Sequence, residues 1–287
     1  MTMPEGYVRV SRRLRCPICG KPDWCLVSRD GKFAMCPRSP NSYETPAGFR
    51  HALTGEAQAE VAVIAARALP EPPEATIDAA ALAVEFQDNV SETALEGHAA
   101  TLGVSVEALT VLGIGYSPQS DAWTFPMRNG SGKIVGVRLR NEAGRKWAVR
   151  GSTNGLFFSP THLLGSKTLL LAEGPTDTAA AIDLGFHAVG RHTARGGAGL
   201  VLELLNVFRP SLVVVVGDVD APDKMGHQAG IEGACNLADQ IWSLTWTTKV
   251  IFPRRGKDLR KWKQLGATKA ELNAVISNSP PWSKRDR

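Results

Sequence analysis

An α/β protein built on a parallel sheet, preceded by a small basic α+β segment and an N-terminal cysteine ribbon, follows from three observations. Lys167–Ala172 and Ser211–Gly217 are apolar runs of strand length that stop abruptly on carboxylates, at Glu173 and at Asp218 and Asp220. Uninterrupted apolar runs of that length read as strands buried on both faces, the kind found in parallel sheets. Helical patterns follow each run, the alternation expected of β-α-β units. Four of the five cysteines stand before residue 40, in pairs.

Composition sets the outer limits. A chain of 287 residues divides more naturally into two or three modest domains than one. We divide it into a ribbon at 1–51, a linker at 52–75, a basic α+β segment at 76–164, a catalytic α/β domain at 165–277 and a disordered tail at 278–287. No apolar run approaches the ~18 residues of a membrane span, so a cytoplasmic protein without a membrane partner is expected. The net charge of +5 conceals segregation. Residues 56–110 carry ten acids against Arg67, whereas 128–150 carry seven Lys/Arg against Glu142 and 249–263 carry seven against Asp258. Basic segments beside an acidic cleft point to a polyanion whose phosphates meet the bases while metal ions meet the acids.

In the ribbon, Cys16-Pro-Ile-Cys19-Gly20 has the form of a metal knuckle. Asp30-Gly31 between β-prone flanks predicts a type I′ hairpin. Counting back from that tip, with Arg29 opposite Lys32, puts Cys25 opposite Cys36, where Cβ atoms stand ~5 Å apart on one face. Cys16, Cys19, Cys25 and Cys36 then close a tetrahedral Zn²⁺ site. His51 is the alternative to Cys25 as a ligand. Arg9, Arg12, Arg13, Arg15 and Lys21 surround the knuckle as a surface for nucleic acid. Cys235 reads as a small buried hydrophobe.

Pro70, Pro72 and Pro73 interrupt any helix in the linker. Residues 76–98 and 105–112 carry helical periodicity, with Ser105 opening the second helix and Gly113 ending it. His98 is a packing residue in this reading. Strands at 122–127 and 133–140 flank the turn Asn129-Gly130-Ser131-Gly132. Their period of two gathers Val135, Val137 and Leu139 on one face and Arg138 and Arg140 on the other. Arg145, Lys146 and Arg150 extend that strip, with Trp147 interleaved as a stacking platform. Gly130-Ser-Gly132-Lys133 is not a phosphate loop, because the upstream glycine is missing and a strand follows.

From Lys167 the expected order is strand 167–172, a helix opened by Gly174-Pro175, strand 186–190, helix 200–208, strand 211–217, helix 229–242 and strand 247–252. Helical residues then run to 277. Two carboxylates ~4 Å apart repel by roughly 4 kcal/mol at the effective dielectric of a protein surface. Glu173, Asp218 and Asp220 therefore call for a cation, and oxygen ligands alone select Mg²⁺ or Mn²⁺ over Zn²⁺. Asp177 reads equally as a helix cap and as an outer member of the Mg²⁺ site.

Glu173-Gly-Pro-Thr-Asp177 followed by Asp218-Val-Asp220 resembles the Toprim signature, a Rossmann-like domain shared by DnaG-type primases, topoisomerases and certain nucleases. Leu112-Gly-Ile-Gly-Tyr116, Phe125-Pro-Met-Arg128, Ile134–Arg140 and Asn154-Gly-Leu-Phe157 resemble the primase half of phage primase–helicases and their Twinkle relatives. The resemblance runs from about Cys16 to Trp262. It implies a DNA primase of a phage, plasmid or other mobile element, making short RNA primers on single-stranded DNA from ribonucleoside triphosphates. Glu173, Asp218 and Asp220 would be catalytic, and with Asp177 would hold Mg²⁺. Arg138, Arg140 and Lys146 match positions that contact nucleotide or template, and Lys257-Asp258 resembles the late element near the metal site. No P-loop follows Trp262, so a separate replicative helicase is the expected partner. The spacer Ala221–Gln228 is longer than in the family and would bring His227 near the metal loop. The rival readings are a Toprim nuclease and a non-catalytic zinc-bearing DNA-binding factor.

Overall fold

The structure is a computed structural model and describes residues 7–11, 14–28, 31–45, 48–55, 77–193, 196–222, 226–242 and 246–283. Two compact units emerge, Met1–Glu74 and Ala75–Arg287. Arg12, Arg13, the hairpin tip Arg29-Asp30 and nearly all of the expected linker lie outside the described residues.

The N-terminal unit is an antiparallel sheet in the order β1-β2-β3-β5-β4, from Tyr7–Arg9 (β1), Leu26–Ser28 (β2), Phe33–Cys36 (β3), Glu44–Thr45 (β4) and Gly48–Ala52 (β5). Leu26 pairs with Met35 and Val27 with Ala34, the expected register. Its core is small, and Cys16, Cys25 and Cys36 belong to it beside Val10, Leu14 and Val27.

The second unit opens with helices at Ala79–Asp88 (α1), Glu92–Leu102 (α2) and Val106–Val111 (α3). The single helix expected over 76–98 is thus two. Ser91 breaks it by turning its hydroxyl to the Ala94 amide as an N-cap, a role serine fills better than an interior position. Ser105 caps α3 as expected, accepting from Ala108 N–H.

Four antiparallel strands follow as a meander: Gly115–Ser117 (β6), Ala122–Arg128 (β7), Ile134–Arg140 (β8) and Lys146–Ala148 (β9). Arg140 stands opposite both Trp123 and Lys146, and Arg138 opposite Phe125 and Ala148. Cross-strand partners share a face. One face therefore carries Trp123, Phe125, Arg138, Arg140 and Lys146, and the other packs Val137 against Ala83 and Phe86 of α1. Trp147 stands opposite Leu139. It is thus on the far face from Arg140 and Lys146, where it meets the Arg145 guanidinium 5.3 Å above its ring, so the expected platform does not lie between the cations of the Arg140 face. β6 and β9 are strands that sequence periodicity missed, because three residues are too few for a period to show.

A short helix, Pro160–Leu163 (α4), leads into the parallel sheet. Its strands are Thr168–Glu173 (β10), His187–Arg191 (β11), Leu212–Val216 (β12) and Thr247–Ile251 (β13), in the order β11-β10-β12-β13. Helices Pro175–Asp183 (α5), Ala198–Phe208 (α6), Ala229–Ile241 (α7), Leu259–Gln264 (α8) and Lys269–Asn278 (α9) complete the chain order. Leu170, Val214 and Val216 face a core shared with α5, α8 and α9, while Leu169, Leu171, Val213 and Val215 face α6 and α7. With both faces covered, the two central strands β10 and β12 are apolar along most of their length, which is why these two runs are conspicuous in the sequence. The shared core also takes in Trp123, Phe125 and Met127, so the cationic meander face looks towards the parallel sheet.

Two expectations are revised, one on α7 and one in the first part of the expected tail, of which residues 284–287 lie outside the described residues. Residues 279–283 are ordered against the sheet: Trp282 donates its backbone N–H to Thr248 O (2.7 Å) and its indole N–H to Asp239 (2.9 Å). An indole gains apolar area and a hydrogen bond in one place, which outweighs the Pro280-Pro281 signal for disorder. Cys235 on α7 is half-buried rather than buried. No helix among the described residues is long and apolar enough to cross a membrane.

Candidate active-site cleft and cysteine cluster

Strand order reverses between β10 and β12, the position where open parallel sheets bind ligands beyond their carboxyl ends. Glu173 ends β10 and Asp218 follows β12 at this point. Two glycines let the backbone close in. A Cβ on Gly190 would lie 2.6 Å from Gly174 O, and one on Gly230 would lie 2.4 Å from Asp218 O. The first permits Gly174 to donate to Arg191 O (3.0 Å), and the second sets the start of α7 directly beneath Asp218.

One cleft collects most of the expected residues. Its lining includes Glu173, Asp177, Asp218, Lys257 and Asp258 from the parallel sheet's edge and Arg138, Arg140 and Lys146 from the meander. Asp220 does not line it; this residue is half-buried, and its carbonyl accepts from the Gln228 side chain (2.9 Å). His227 pairs with Glu232 at 2.8 Å, and residues 223–225 of the long spacer lie outside the described residues.

Asp177 does not cap its own helix in the expected way. It is buried and accepts the Arg260 backbone N–H (2.9 Å), while Asp258 accepts from Lys261 N–H (2.7 Å). Two acids from distant segments thus satisfy the free amides of α8 and sit beside one another in the cleft. Burial, and then the charge of Asp258, push Asp177 up to about 7. Burial also leads at Asp218, followed by repulsion from Asp177, Glu173, Asp258 and Asp220, and raises it to about 8. Glu173 is raised by burial and restrained chiefly by Arg191. On the opposite wall burial lowers Arg140 and Lys146, and like charge adds to the lowering, from Arg260 at the first and from Arg140 at the second.

Arg191, His192 and Arg260 line the cleft too and were not foreseen. Arg191 had a legible signal, since it ends β11 as Glu173 ends β10. His98 does pack, stacking on Trp123 with ring centroids 4.0 Å apart, and burial lowers it to about 4.

The cleft's donors suit a hard divalent cation. Four of them are carboxylates beside one imidazole, His192, and the mutual repulsion of the acids favours protons near neutral pH unless a cation replaces them. Among the described residues no three carboxylates close as tightly as the cysteines do. Mg²⁺, which keeps several waters and takes one or two carboxylates with substrate phosphates, asks for no tighter arrangement.

In the N-terminal unit the sulfurs of Cys16, Cys19, Cys25 and Cys36 all lie within 4.8 Å of one another, with Cys19–Cys25 at 3.6 Å and Cys25–Cys36 at 3.8 Å. Four thiolates ~2.3 Å from a tetrahedral zinc stand about 3.8 Å apart, so the cluster fits Zn²⁺. His51 is turned away, its Nε2 on Ser39 O (2.9 Å) and its Nδ1 on the Asn41 amide (3.2 Å). Arg38 Nη1 lies 3.6 Å from Cys25 Sγ and 3.9 Å from Cys19 Sγ, partly offsetting the surplus charge of four thiolates. At Cys19, burial opposes ionisation, yet the Lys21 amide and the neighbouring thiols bring it down to about 6.

Three solved structures share this architecture. The Aquifex aeolicus primase, comprising zinc-binding and RNA polymerase domains, matches 98% of this chain and 81% of its own at 12% identity, with a TM-score of 0.56. The Escherichia coli primase catalytic core matches 70% and 79% at 15% identity, TM-score 0.52. A DnaG primase catalytic domain bound to single-stranded DNA matches 70% and 80% at 15% identity, TM-score 0.53. The chain has the DnaG primase fold. No protein-family model and no curated protein sequence matches it.

Proposed function

We propose that this protein is a DNA primase that makes short RNA primers on single-stranded DNA. The observation that carries the reading is the pairing of walls: the carboxylates Glu173, Asp177, Asp218 and Asp258 face Arg138, Arg140 and Lys146 across one cleft. That pairing sits within a primase fold and is accompanied by a four-cysteine cluster fit for zinc. A phosphate-transferring site needs both, cations for the triphosphate and acids for a metal.

In this reading Arg138, Arg140 and Lys146 bind the incoming ribonucleotide's phosphates and the template backbone, and Lys257 closes the same pocket beside Asp258. The terminal 3′-hydroxyl attacks the α-phosphorus; the new O–P bond forms as the bond to the β-phosphate oxygen breaks, and pyrophosphate leaves. Glu173, its pKa raised by burial, accepts the hydroxyl proton, a task better suited to a carboxylate with an elevated pKa. Asp218 and Asp220, with Asp177 and Glu173 near them, would hold Mg²⁺ or Mn²⁺, which supplies charge stabilisation for the reacting phosphates. Cys16, Cys19, Cys25 and Cys36 would hold Zn²⁺ as a staple for a unit whose own core is small.

The test is purified protein with single-stranded DNA, ribonucleotides and Mg²⁺. New oligonucleotides that disappear with Asp218→Asn are the expected result. Synthesis that survives this substitution would overturn the site. Template cut without nucleotides would assign a nuclease instead, and binding without either product a replication factor.

A further inference from the structure

Arg191 is the most deeply buried cation of the cleft, 2% exposed. The β10–β11 register places it beside Glu173, at the carboxyl end of the neighbouring parallel strand, where adjacent partners point to the same side of the sheet. It is clamped there. Gly174 donates to its carbonyl on one side, and Gly190 exchanges two hydrogen bonds with Phe157 just before it. Arg191 lines the cleft with both Glu173 and Asp218, and its charge acts on both carboxylates.

A buried guanidinium stays charged at any pH the fold survives and needs carboxylates about it. It thus supplies a permanent positive charge in the very region where the carboxylates would otherwise call for a second metal ion. At 2% exposure its charge is spent first on the carboxylates around it. Among the described residues Glu173 is the acid that strand pairing sets beside it, whereas Asp218 is pressed by Asp177, Glu173 and Asp258.

We propose that Arg191 is a built-in counter-cation to Glu173, leaving a single divalent-cation site, centred on Asp218, in the nucleotide-free protein. The inference rests on reading the cleft as a divalent-cation site. It makes Arg191 a positioning residue, acting through Glu173. Glu173 and Asp218, both strand-end acids by sequence, then divide their duties: Asp218 holds the resting ion and Glu173 stays available for the hydroxyl proton.

Mn²⁺ titration of the zinc-loaded full chain, followed by electron paramagnetic resonance without nucleotide, tests this. The wild type should take one Mn²⁺, lost in Asp218→Asn and kept within about threefold in affinity in Glu173→Gln, because that carboxylate is already engaged. Arg191→Gln should admit a second ion or tighten the first by roughly tenfold or more, as removal of a like charge requires. Arg191→Lys should restore wild-type behaviour, which a purely structural role for the guanidinium would not. If Arg191→Gln fails to fold, the Glu173→Gln arm decides alone. Loss of the ion in Glu173→Gln to the same degree as in Asp218→Asn, an Arg191→Gln titration identical to wild type, or two ions in the wild type overturns the inference. A wild type that binds no Mn²⁺ overturns instead the metal reading beneath it.

Discussion

Replacing Asp218 with asparagine is expected to stabilise the magnesium-free protein, although the residue lies at the centre of the proposed active site. Asp218 holds its proton to about 8 in the folded chain against 3.8 in an unperturbed carboxyl. Between those values the folded state binds a proton that the unfolded state releases. The associated stability is full below 3.8 and is lost as pH rises through about 8. At ~1.4 kcal/mol for each pH interval the cost of ionising the folded group approaches 6 kcal/mol, which partial exposure and solvent screening reduce to roughly 2–3 kcal/mol. Asparagine keeps the shape and removes the charge. Urea unfolding followed by tryptophan fluorescence should therefore show Asp218→Asn more stable than wild type by about 2 kcal/mol at pH 8.5 and by less than about 1 kcal/mol at pH 5. Added Mg²⁺ should close the gap by stabilising only the wild type. A variant less stable than wild type at pH 8.5, or a gain equal at both pH values, would refute the reasoning.

Other outcomes follow from the same geometry. Cys25→Ser should release zinc to a chelating dye far faster than wild type, while His51→Ala should retain it, because His51 is committed to Ser39 and Asn41. Gly230→Ala forces a methyl to within 2.4 Å of Asp218 O; a loss of roughly 1–3 kcal/mol in the urea midpoint should accompany weakened Mn²⁺ binding. Arg140→Ala and Lys146→Ala should each lower the slope of log affinity for single-stranded DNA against log salt by about 0.7, the value for one phosphate contact, when binding is measured by fluorescence anisotropy.

Legibility in the sequence followed the strength of local constraint. The strands β10 and β12 were visible because burial on both faces leaves no polar residue to blur them, and their ends located Glu173 and Asp218. The opposition of Cys25 and Cys36 was countable because a two-residue turn sets the register of everything before and after it. Arg138 and Arg140 share a face by period alone, and the pairing of Lys146 with Arg140 adds the third cation. What escaped were relations between distant segments. Asp177 bonds an amide 83 residues away, a partner no local pattern names. Asp220 was read as Asp218's equal, but the turn after β12 sends only Asp218 into the cleft lining. Trp147 was misjudged because β9 is too short to reveal its own period, and its place opposite Leu139 settles its face.

The cleft's charges lead to a last expectation. Six cations line it, Arg138, Arg140, Lys146, Arg191, Lys257 and Arg260, against four acids, Glu173, Asp177, Asp218 and Asp258. The lining is therefore positive by two before any metal arrives, and by one if Asp220 is counted behind it. Protons held by Asp218 and Asp177 near neutral pH raise that surplus further. A net-positive cleft draws a polyanion without help, since counterion release from phosphates needs only fixed protein cations. The metal's contribution then falls on bond making rather than on template capture. Omitting Mg²⁺ should leave single-stranded DNA affinity within about threefold at constant ionic strength, while abolishing oligonucleotide synthesis. Because the acids gain charge as pH rises, the magnesium-free affinity should fall between pH 6.5 and pH 8.5. An affinity that collapses without Mg²⁺ at pH 6.5 would mean that the acids, not the bases of the meander, govern how DNA enters the cleft.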